Sequence, residues 1–157
     1  MFVPPEAIWK LPTVTFNTGE ILLSESTAAS VLLFFDQGGV EVVKDGVTLT
    51  TVRERGAMFG EMSVLLRCPH TASVIACEET TCRVADEPEF YLQSNPDVML
   101  YVSRILAQRL ESLNRYLIDV KAQLREHEGH VSMVDDVLGA LMNRHPRQIR
   151  ARSRAGE

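Results

Sequence analysis

The sequence predicts an α+β protein that is mainly β: an antiparallel sandwich or small barrel, followed by a long helix and one short helix. Seven short segments rich in Val, Thr, Ile and Phe recur between residues 13 and 85 at intervals of roughly 8–12 residues. Beyond them the apolar spacing becomes helical, and no proline or glycine occurs from Val98 to Glu128. The length of 157 residues, with 45% apolar residues, suits one domain with a substantial core.

The strand segments are separated by residues that favour turns. Gly38-Gly39 is one such pair, and Asp45-Gly46 is a hairpin signal because Gly46 can adopt a positive φ. Close turns between many short strands indicate antiparallel pairing. The predicted strands are Val14–Phe16, Glu20–Leu23, Val31–Phe35, Val40–Lys44, Thr48–Val52, Ala72–Ala76 and Thr81–Ala85.

Two helix starts follow the strands. Asp86, with Glu89 three residues later, predicts a capping box for a short helix from Pro88 to about Ser94. Asn95 is the expected N-cap of the long helix, with Pro96 at its first position.

The long helix carries a narrow apolar stripe with alternating steps of four and three residues. This spacing is typical of the seam of a two-stranded coiled coil and predicts a homodimer, although the stripe is also compatible with packing against the same chain's barrel. The stripe consists of Leu106, Leu110, Leu113, Leu117, Val120 and Leu124.

The chain after the long helix is expected to form a second, smaller region. Gly129 ends the long helix, and Ser132 with Asp135 caps a last helix through about Arg144, which Pro146 stops. The predicted organisation is therefore a domain over residues 1–128, with its dimerisation helix at about 96–128, and a short helix with a basic tail over 129–157.

Charge excludes some function classes. The chain carries a net charge of −5, which argues against general binding to nucleic acid or membrane surfaces. The charge is uneven, since residues 143–157 carry +4 and the remaining residues carry −9. The basic tail is either a solvated, disordered segment or a contact for phosphates or an acidic partner.

The N-terminal and cysteine patterns predict a cytoplasmic protein. The first six residues lack the basic and apolar regions of a signal peptide. The longest apolar run, Val31–Phe35, is far shorter than the roughly 20 residues of a membrane-spanning helix. Cys68, Cys77 and Cys82 are odd in number and lack metal-ligand spacing, so they are expected to be reduced thiols.

The most informative segment lies between residues 56 and 74. Phe59 is an apolar anchor, Gly60 permits close backbone approach, and Glu61 to Leu66 can form a short helix. The free N–H groups at the start of such a helix can hold an anion. Glu61 beside them is suited to accept a hydrogen bond from a ribose hydroxyl. The pattern indicates a cradle for a phosphate and its sugar.

The order of several motifs resembles the cyclic nucleotide-binding domain family, including the sensory half of catabolite-activator-like bacterial regulators. The resemblance covers about residues 13–125 and implies a jelly-roll β-barrel. The matching motifs, in chain order, are Phe16-x-x-Gly19-Glu20-x-Leu22, the apolar segment Val31–Phe35 with Gly38-x-Val40-x-Val42, Gly56-x-x-Phe59-Gly60-Glu61-Met62-Ser63, Pro69-His70-Thr71-Ala72-Ser73-Val74 and Phe90…Asn95-Pro96-Asp97.

The resemblance also implies roles for individual residues. In the family, a glycine and backbone N–H groups hold the cyclic phosphate and a glutamate binds the ribose, and these roles fall on Gly60, Met62, Ser63 and Glu61. Family members also have a phosphate-binding arginine, and the small residues that follow it line the phosphate. They are Thr71 and Ala72 here, and Thr71 keeps cGMP open beside cAMP. The long helix of family members usually covers the base. Its candidate polar residues are Arg109 and Asn114.

One position departs from the family pattern. The phosphate-binding arginine of the family follows the proline, but this sequence has Pro69-His70. Histidine lacks the permanent charge and planar fork of arginine, and losing one charge-assisted hydrogen bond costs about 1.5–3 kcal/mol. Three outcomes are open: His70 binds phosphate weakly and better at acid pH, Arg67 replaces the arginine, or the pocket no longer binds cyclic nucleotides.

Other site types are poorly supported by the sequence. Three of the four histidines lie in the C-terminal helical part, so no metal site and no resident cofactor are expected. Cys68 lies two residues from His70, but that spacing in a loop fixes no nucleophile–base geometry. The sequence therefore predicts that this protein is not an enzyme.

The leading hypothesis is a regulatory module that senses cAMP or cGMP weakly or not at all and acts on an unknown protein effector. The first alternative is a degenerate barrel that dimerises as a protein–protein interaction module. The second is a fragment of a DNA-binding transcriptional regulator that uses the basic tail. Only about 25 residues follow Ser132, too few for a complete helix-turn-helix module, so DNA is not an expected partner.

Overall fold

The computed structural model describes residues 2–124 and 131–142. The chain divides into two compact units, one up to Ile105 and the other from Leu106 onward. The strands are β1 (Thr13–Phe16), β2 (Ile21–Leu23), β3 (Leu32–Gln37), β4 (Val40–Lys44), β5 (Val47–Val52), β6 (Met58–Phe59), β7 (Ser73–Ala76) and β8 (Thr80–Ala85). The helices are α1 (Glu6–Trp9), α2 (Glu61–Leu66), α3 (Pro88–Ser94), α4 (Pro96–Leu124) and α5 (Val131–Met142).

Two four-stranded sheets form the first unit. Their strand orders are β1-β8-β3-β6 and β2-β7-β4-β5, and every neighbouring pair is antiparallel. The predicted fold class, a mainly β jelly-roll barrel followed by a long and a short helix, is confirmed.

The core explains why the most apolar run of the sequence is a strand. Side chains alternate between the two faces of a strand. Leu33 and Phe35 of β3 belong to one buried cluster, while Phe34 on the other face packs edge-on against Tyr91 of α3, with ring centroids 6.5 Å apart. Because β3 is buried on both faces, its sequence is continuously apolar rather than alternating. The cluster comprises Leu23, Leu33, Phe35, Val40, Phe59, Val74, Cys82 and Val84.

All seven predicted strands are present, with ends that differ by at most two residues. The predicted hairpin joins β4 to β5, and its residues Asp45 and Gly46 have φ values of 49° and 76°. Two positive φ values in succession define the type I′ turn, whose twist matches that of paired strands. The short elements α1 and β6 were not predicted.

The predicted capping box of α3 is wrong. The N-cap is Glu87 rather than Asp86, and it makes no side-chain cap hydrogen bond. Asn95 does precede α4, and its carbonyl oxygen accepts the N–H of Val98 at 3.0 Å. The amide of its side chain, however, donates to the carbonyl oxygen of Tyr91 at 2.8 Å, so the side chain closes α3.

The second unit contains the rest of α4 and α5. Helix α5 starts one residue before Ser132, so the predicted cap at Ser132 is wrong, and Asp135 forms an ion pair with Lys121 of α4. The predicted stops at Gly129 and Pro146, the boundary between residues 128 and 129 and the basic tail lie outside the described residues.

A helix that crosses a membrane needs roughly 20 consecutive, mostly apolar residues. Within residues 2–124 and 131–142, no helix is both long and apolar enough to cross a membrane.

Candidate functional site

The residues of the predicted phosphate cradle lie at the start of α2. Gly60 precedes this helix with φ 90° and ψ −5°, a left-handed conformation that favours glycine. A Cβ atom at Gly60 would lie only 2.8 Å from the carbonyl oxygen of Val31. The first intrahelical bond runs from the N–H of Val64 to the carbonyl oxygen of Gly60, at 3.1 Å. The backbone N–H groups of Met62 and Ser63 therefore precede the intrahelical hydrogen bonds, and an anion can accept hydrogen bonds from them.

The polar side chains of this segment are deeply buried. Glu61 is 4% exposed, Ser63 is 2% exposed and His70 is 5% exposed, whereas Met62 is 43% exposed. The sequence predicted that Glu61 and Ser63 lie on the same short helix, but it did not predict their burial. Burial shields these three polar side chains from bulk water, so a polar ligand at this segment would meet them in a low-dielectric environment.

His70 is fixed by its backbone beside the glycine of the cradle. Its N–H donates to the carbonyl oxygen of Thr27 at 2.9 Å, and its carbonyl oxygen accepts the N–H of Ser26 at 2.8 Å. Its ring atom Cε1 lies 3.5 Å from the position that a Cβ on Gly60 would take. The structure therefore places His70, the residue that differs from the family pattern, next to Gly60.

Burial determines the charge state of His70. Desolvation lowers the pKa of its imidazole below the usual value of 6.5. The ring is therefore neutral at pH 7 in the unliganded protein. A neutral imidazole has one donor nitrogen and one acceptor nitrogen, and it lacks the permanent charge with which arginine binds phosphate.

The guanidinium of Arg67 is already paired with a carboxylate. This guanidinium forms a bidentate salt bridge with the carboxylate of Glu89 in α3, with N–O distances of 3.1 Å and 3.4 Å. Arg67 also ends α2 in a left-handed conformation, with φ 51° and ψ 47°. The geometry of the ion pair argues against the hypothesis that Arg67 replaces the missing arginine.

Lys44 is a cation near this segment that sequence reasoning missed. Its ammonium donates to the carbonyl oxygen of Thr71 at 2.8 Å and lies 3.5 Å from the carboxylate of Glu25. The contact exists because β4 pairs with β7 so that Val43 faces Ser73. No local sequence signal could have found Lys44, since strand register is set by long-range pairing. The Thr71 side chain is exposed, and Ala72 is half-buried.

The two predicted base contacts lie on the part of α4 that belongs to the second unit. The Arg109 side chain is exposed, while Asn114 is half-buried and its Oδ1 atom is buried without a hydrogen-bond partner. Contact of Arg109 and Asn114 with a ligand remains a prediction.

The remaining candidate chemistry concerns thiols and metals. Cys68 and Cys77 are half-buried and Cys82 is buried, and all three are free thiols. Burial, together with the negative charge of Asp36, raises the pKa of Cys82 to about 12, so this thiol stays protonated and unreactive. Within the described parts of the chain, no three His, Cys, Asp or Glu side chains are grouped to hold a metal ion.

The geometry can therefore hold a small anion attached to a sugar, on helix N–H groups beside a buried glutamate and a neutral histidine. The family model described as cyclic nucleotide-binding domain matches residues 13–92, which is half of the chain. That stretch includes all of β1 to β8, α2 and most of α3.

A curated relative and two solved structures are similar to this chain. Acetyltransferase Pat of Mycolicibacterium smegmatis is 28% identical over 114 residues, which make up 70% of this chain and 33% of that protein. The N-terminal domain of a transcriptional regulator from Streptomyces coelicolor A3(2) superposes with a TM-score of 0.53 at 24% identity, covering 71% of this chain and 81% of that one.

The second structure, described as Sp-2Cl-cAMPS bound to PKAR CBD2, superposes with a TM-score of 0.55 at 22% identity. It covers 70% of this chain and 71% of that one. These structural likenesses support the fold. The chain spans a third or less of the length of the curated relatives it matches. On the family match over residues 13–92, this chain belongs to the cyclic nucleotide-binding domain family.

Proposed function

We propose that the chain is a non-enzymatic regulatory module whose cradle receives a cyclic nucleotide, cAMP or cGMP, with low affinity. Family membership and the left-handed Gly60 at the start of α2 support this function. One of the similar structures carries Sp-2Cl-cAMPS, and one curated relative is a cGMP-dependent protein kinase from Caenorhabditis briggsae. The free thiols favour a reducing compartment, so we place the module in the cytoplasm.

Each candidate residue has a defined role in this proposal. Gly60 and the N–H groups of Met62 and Ser63 hold the phosphate, and Glu61 accepts the ribose hydroxyl. Backbone N–H groups at a helix start favour an anion, and a buried carboxylate makes a strong hydrogen bond to a hydroxyl. Four further residues complete the proposal: Thr71 and Ala72 line the phosphate, and Arg109 and Asn114 on the long helix cover the base.

The proposed low affinity for cyclic nucleotide rests on the position and burial of His70. Its burial favours the neutral form, and its ring lies close to Gly60, where the family has an arginine. A ligand phosphate would favour the protonated ring and raise the pKa of His70 in the complex. Affinity should therefore increase as the pH falls through the raised pKa, and level off below the lowered pKa of the free protein.

We expect His70→Arg to bind cyclic nucleotide about 10- to 150-fold more tightly than the wild type at pH 7.5, because one charge-assisted interaction of about 1.5–3 kcal/mol is restored. Calorimetric titration with cAMP and cGMP at pH 6 and pH 7.5 measures this. The wild type should bind more tightly at pH 6, whereas the variant should show no such gain.

His70→Gln is the matched control, since glutamine keeps a polar side chain that cannot become charged. This control should lose the pH dependence and gain no affinity. Binding by His70→Arg alone would identify the wild-type pocket as degenerate. If neither the wild type nor His70→Arg gave a binding heat with either nucleotide, the sensing function would be wrong.

A dimerising interaction module is the second candidate, and the exposure of the α4 stripe favours it. Leu110 is 41% exposed and Leu113 is 45% exposed, and a heptad seam left open in a single chain is typical of a coiled coil. Cyclic nucleotide-linked motion of such a helix could reach an effector through the dimer mate. A homodimer through the stripe is compatible with either function.

We expect the wild type to sediment as a dimer and the double variant Leu113→Asp with Leu117→Asp to sediment as a monomer, because two charges would be buried in the seam. Sedimentation velocity over a range of concentrations measures this. Tyr116→Asp with Ile118→Asp is the control, since both residues are exposed and lie off the stripe. A wild type that is monomeric at every concentration would contradict the dimer.

A further inference from the structure

A cavity of about 700 Å³ lies on the α3 side of helix α2. One wall is the second half of α2 with the segment that follows it, and the opposite wall is the start of α3. Its lining shares Ser63 with the phosphate cradle but does not include Gly60, Glu61, Met62, His70 or Thr71, so the cavity adjoins the cradle on the α3 side. The residues that line it are Ala28, Ala29, Ser30, Ser63, Val64, Arg67, Cys68, Pro69, Glu87, Pro88, Glu89 and Phe90.

The size and lining of this cavity suit a small organic molecule. Ligand sites typically measure roughly 300–1,000 Å³ and combine apolar walls with a few polar groups. Most of the lining is apolar, and the Phe90 side chain is 67% exposed. Phe90 and Glu87 also line an adjoining cavity of about 510 Å³, so these two side chains form the partition between the two spaces.

The charges at the cavity rim favour a cation. Three charged residues line it, and Arg67 and Glu89 neutralise each other in an ion pair at 3.1 Å. Glu87 is exposed and forms no ion pair with any residue in the described ranges. The rim therefore carries one uncompensated negative charge beside an exposed aromatic ring, and both attract a positively charged group.

We propose that this cavity binds a small organic cation with an apolar body, such as an aromatic quaternary ammonium. The apolar body fills the space between Val64 and Pro69 and is driven there by burial of its hydrocarbon surface. The ammonium group lies at the rim, between the carboxylate of Glu87 and the face of Phe90. The charged and aromatic groups that would hold the cation, Glu87 and Phe90, are not cradle residues, and the test of this site uses no nucleotide.

The thiol of Cys68 gives a direct readout of occupancy because it lines the cavity. The probe is benzyltrimethylammonium, and its uncharged isostere neopentylbenzene has the same shape. The full chain is alkylated with iodoacetamide, and the rates at Cys68 and Cys77 are followed by peptide mass spectrometry. Cys77 is half-buried and lies outside the cavity lining, so it is the internal standard.

We expect benzyltrimethylammonium to slow alkylation of Cys68 at saturation and to leave Cys77 unchanged. Neopentylbenzene should protect Cys68 with an affinity about threefold to fivefold lower, since it lacks the charge. Glu87→Gln should weaken binding of the cation by a similar factor and leave binding of the neutral isostere unchanged. Phe90→Ala should weaken binding of both probes.

Glu79→Gln is the matched control, because it removes an exposed carboxylate that does not line the cavity. It should bind the cation as the wild type does. The proposal would be overturned by equal protection from both probes, by absence of protection from the cation, or by an equal loss of cation binding in Glu79→Gln and Glu87→Gln. A Cys77 rate that falls in parallel with Cys68 would also overturn it, as a general effect on the fold.

Discussion

Gly38→Ala is expected to destabilise the barrel by about 2–5 kcal/mol. Gly38 has a φ of 103°, and a left-handed conformation costs a residue with a Cβ about 1–2 kcal/mol. The new Cβ would lie 2.3 Å from the carbonyl oxygen of Glu79 and 2.7 Å from the Cα of Thr80. Both are backbone atoms at the β7–β8 turn and cannot move aside cheaply, so about 1–3 kcal/mol of overpacking is added.

The loss should be clear in urea unfolding at pH 7, because total stabilities of about 5–15 kcal/mol are typical of domains. Gly46→Ala is the matched control. Gly46 also lies in a turn between two strands with a positive φ of 76°, but nothing lies within 4 Å of a Cβ placed there. This control should lose only the conformational part, about 1–2 kcal/mol. Equal losses in the two variants would show that the contact with Glu79 and Thr80 is unimportant.

Asp36→Asn is expected to destabilise the protein by about 2–4 kcal/mol at pH 7, because a largely buried carboxylate holds two arginines. Its side chain is 15% exposed, and its oxygen atoms lie 2.7 Å from Nε of Arg55 and 2.9 Å from Nη2 of Arg83. Arg55 also stacks over the ring of Trp9 in α1, with its guanidinium carbon 3.9 Å from the centroid. The carboxylate thereby ties the N-terminal helix to β3 and β8.

The pH dependence of this loss follows from the pKa of Asp36. Burial by itself would raise that pKa, but the hydrogen bonds and charges of Arg55 and Arg83 outweigh it and hold the pKa below its usual value. A lowered carboxyl pKa contributes stability above the unfolded value of about 3.9, and this contribution is lost as the pH falls through the folded pKa. The gap between wild type and Asp36→Asn should therefore be constant from pH 7 to pH 5 and shrink below about pH 4.

Urea unfolding at a series of pH values measures this gap, and Glu111→Gln is the control. Glu111 and Arg115 form an ion pair at the same distance of 2.7 Å, but their side chains are 63% and 74% exposed. Exposed pairs contribute about 0–1 kcal/mol, so this control should be close to wild type. A gap for Asp36→Asn no larger than that of the control would refute the structural role of the carboxylate.

Local patterns were sufficient for most elements of the fold. Short segments rich in Val, Thr, Ile and Phe predicted the strands, and Asp45-Gly46 predicted the hairpin turn, in which both residues have a positive φ. The uninterrupted α4 was visible as a run without proline or glycine. These features depend on residues close together in the chain. Helix α2 was predicted with the observed bounds for the same reason, since Gly60 and the residues after it carry the signal.

Elements that depend on distant partners were missed. Strand β6 has only two residues and exists because Leu33 faces Phe59 and Phe34 faces Met58. Helix α1 has four residues and no side-chain cap, so the burial of Ile8 stabilises it rather than any local signal. The capping pattern at Asp86 was misleading, because Glu87 takes the N-cap position and its side chain makes no cap bond.

Residue patterns were enough to predict the family, the strand segments along the chain and the candidate cradle residues, with His70 at the position where the resemblance implies an arginine. The environment of this segment became visible only in the fold: burial lowers the pKa of His70, Arg67 pairs with Glu89, and Lys44 approaches Thr71. The two groups of features differ in how far apart along the chain the interacting residues lie. Backbone conformation and apolar period are set by neighbours in the chain, whereas desolvation and ion pairing depend on residues brought together by strand register and packing.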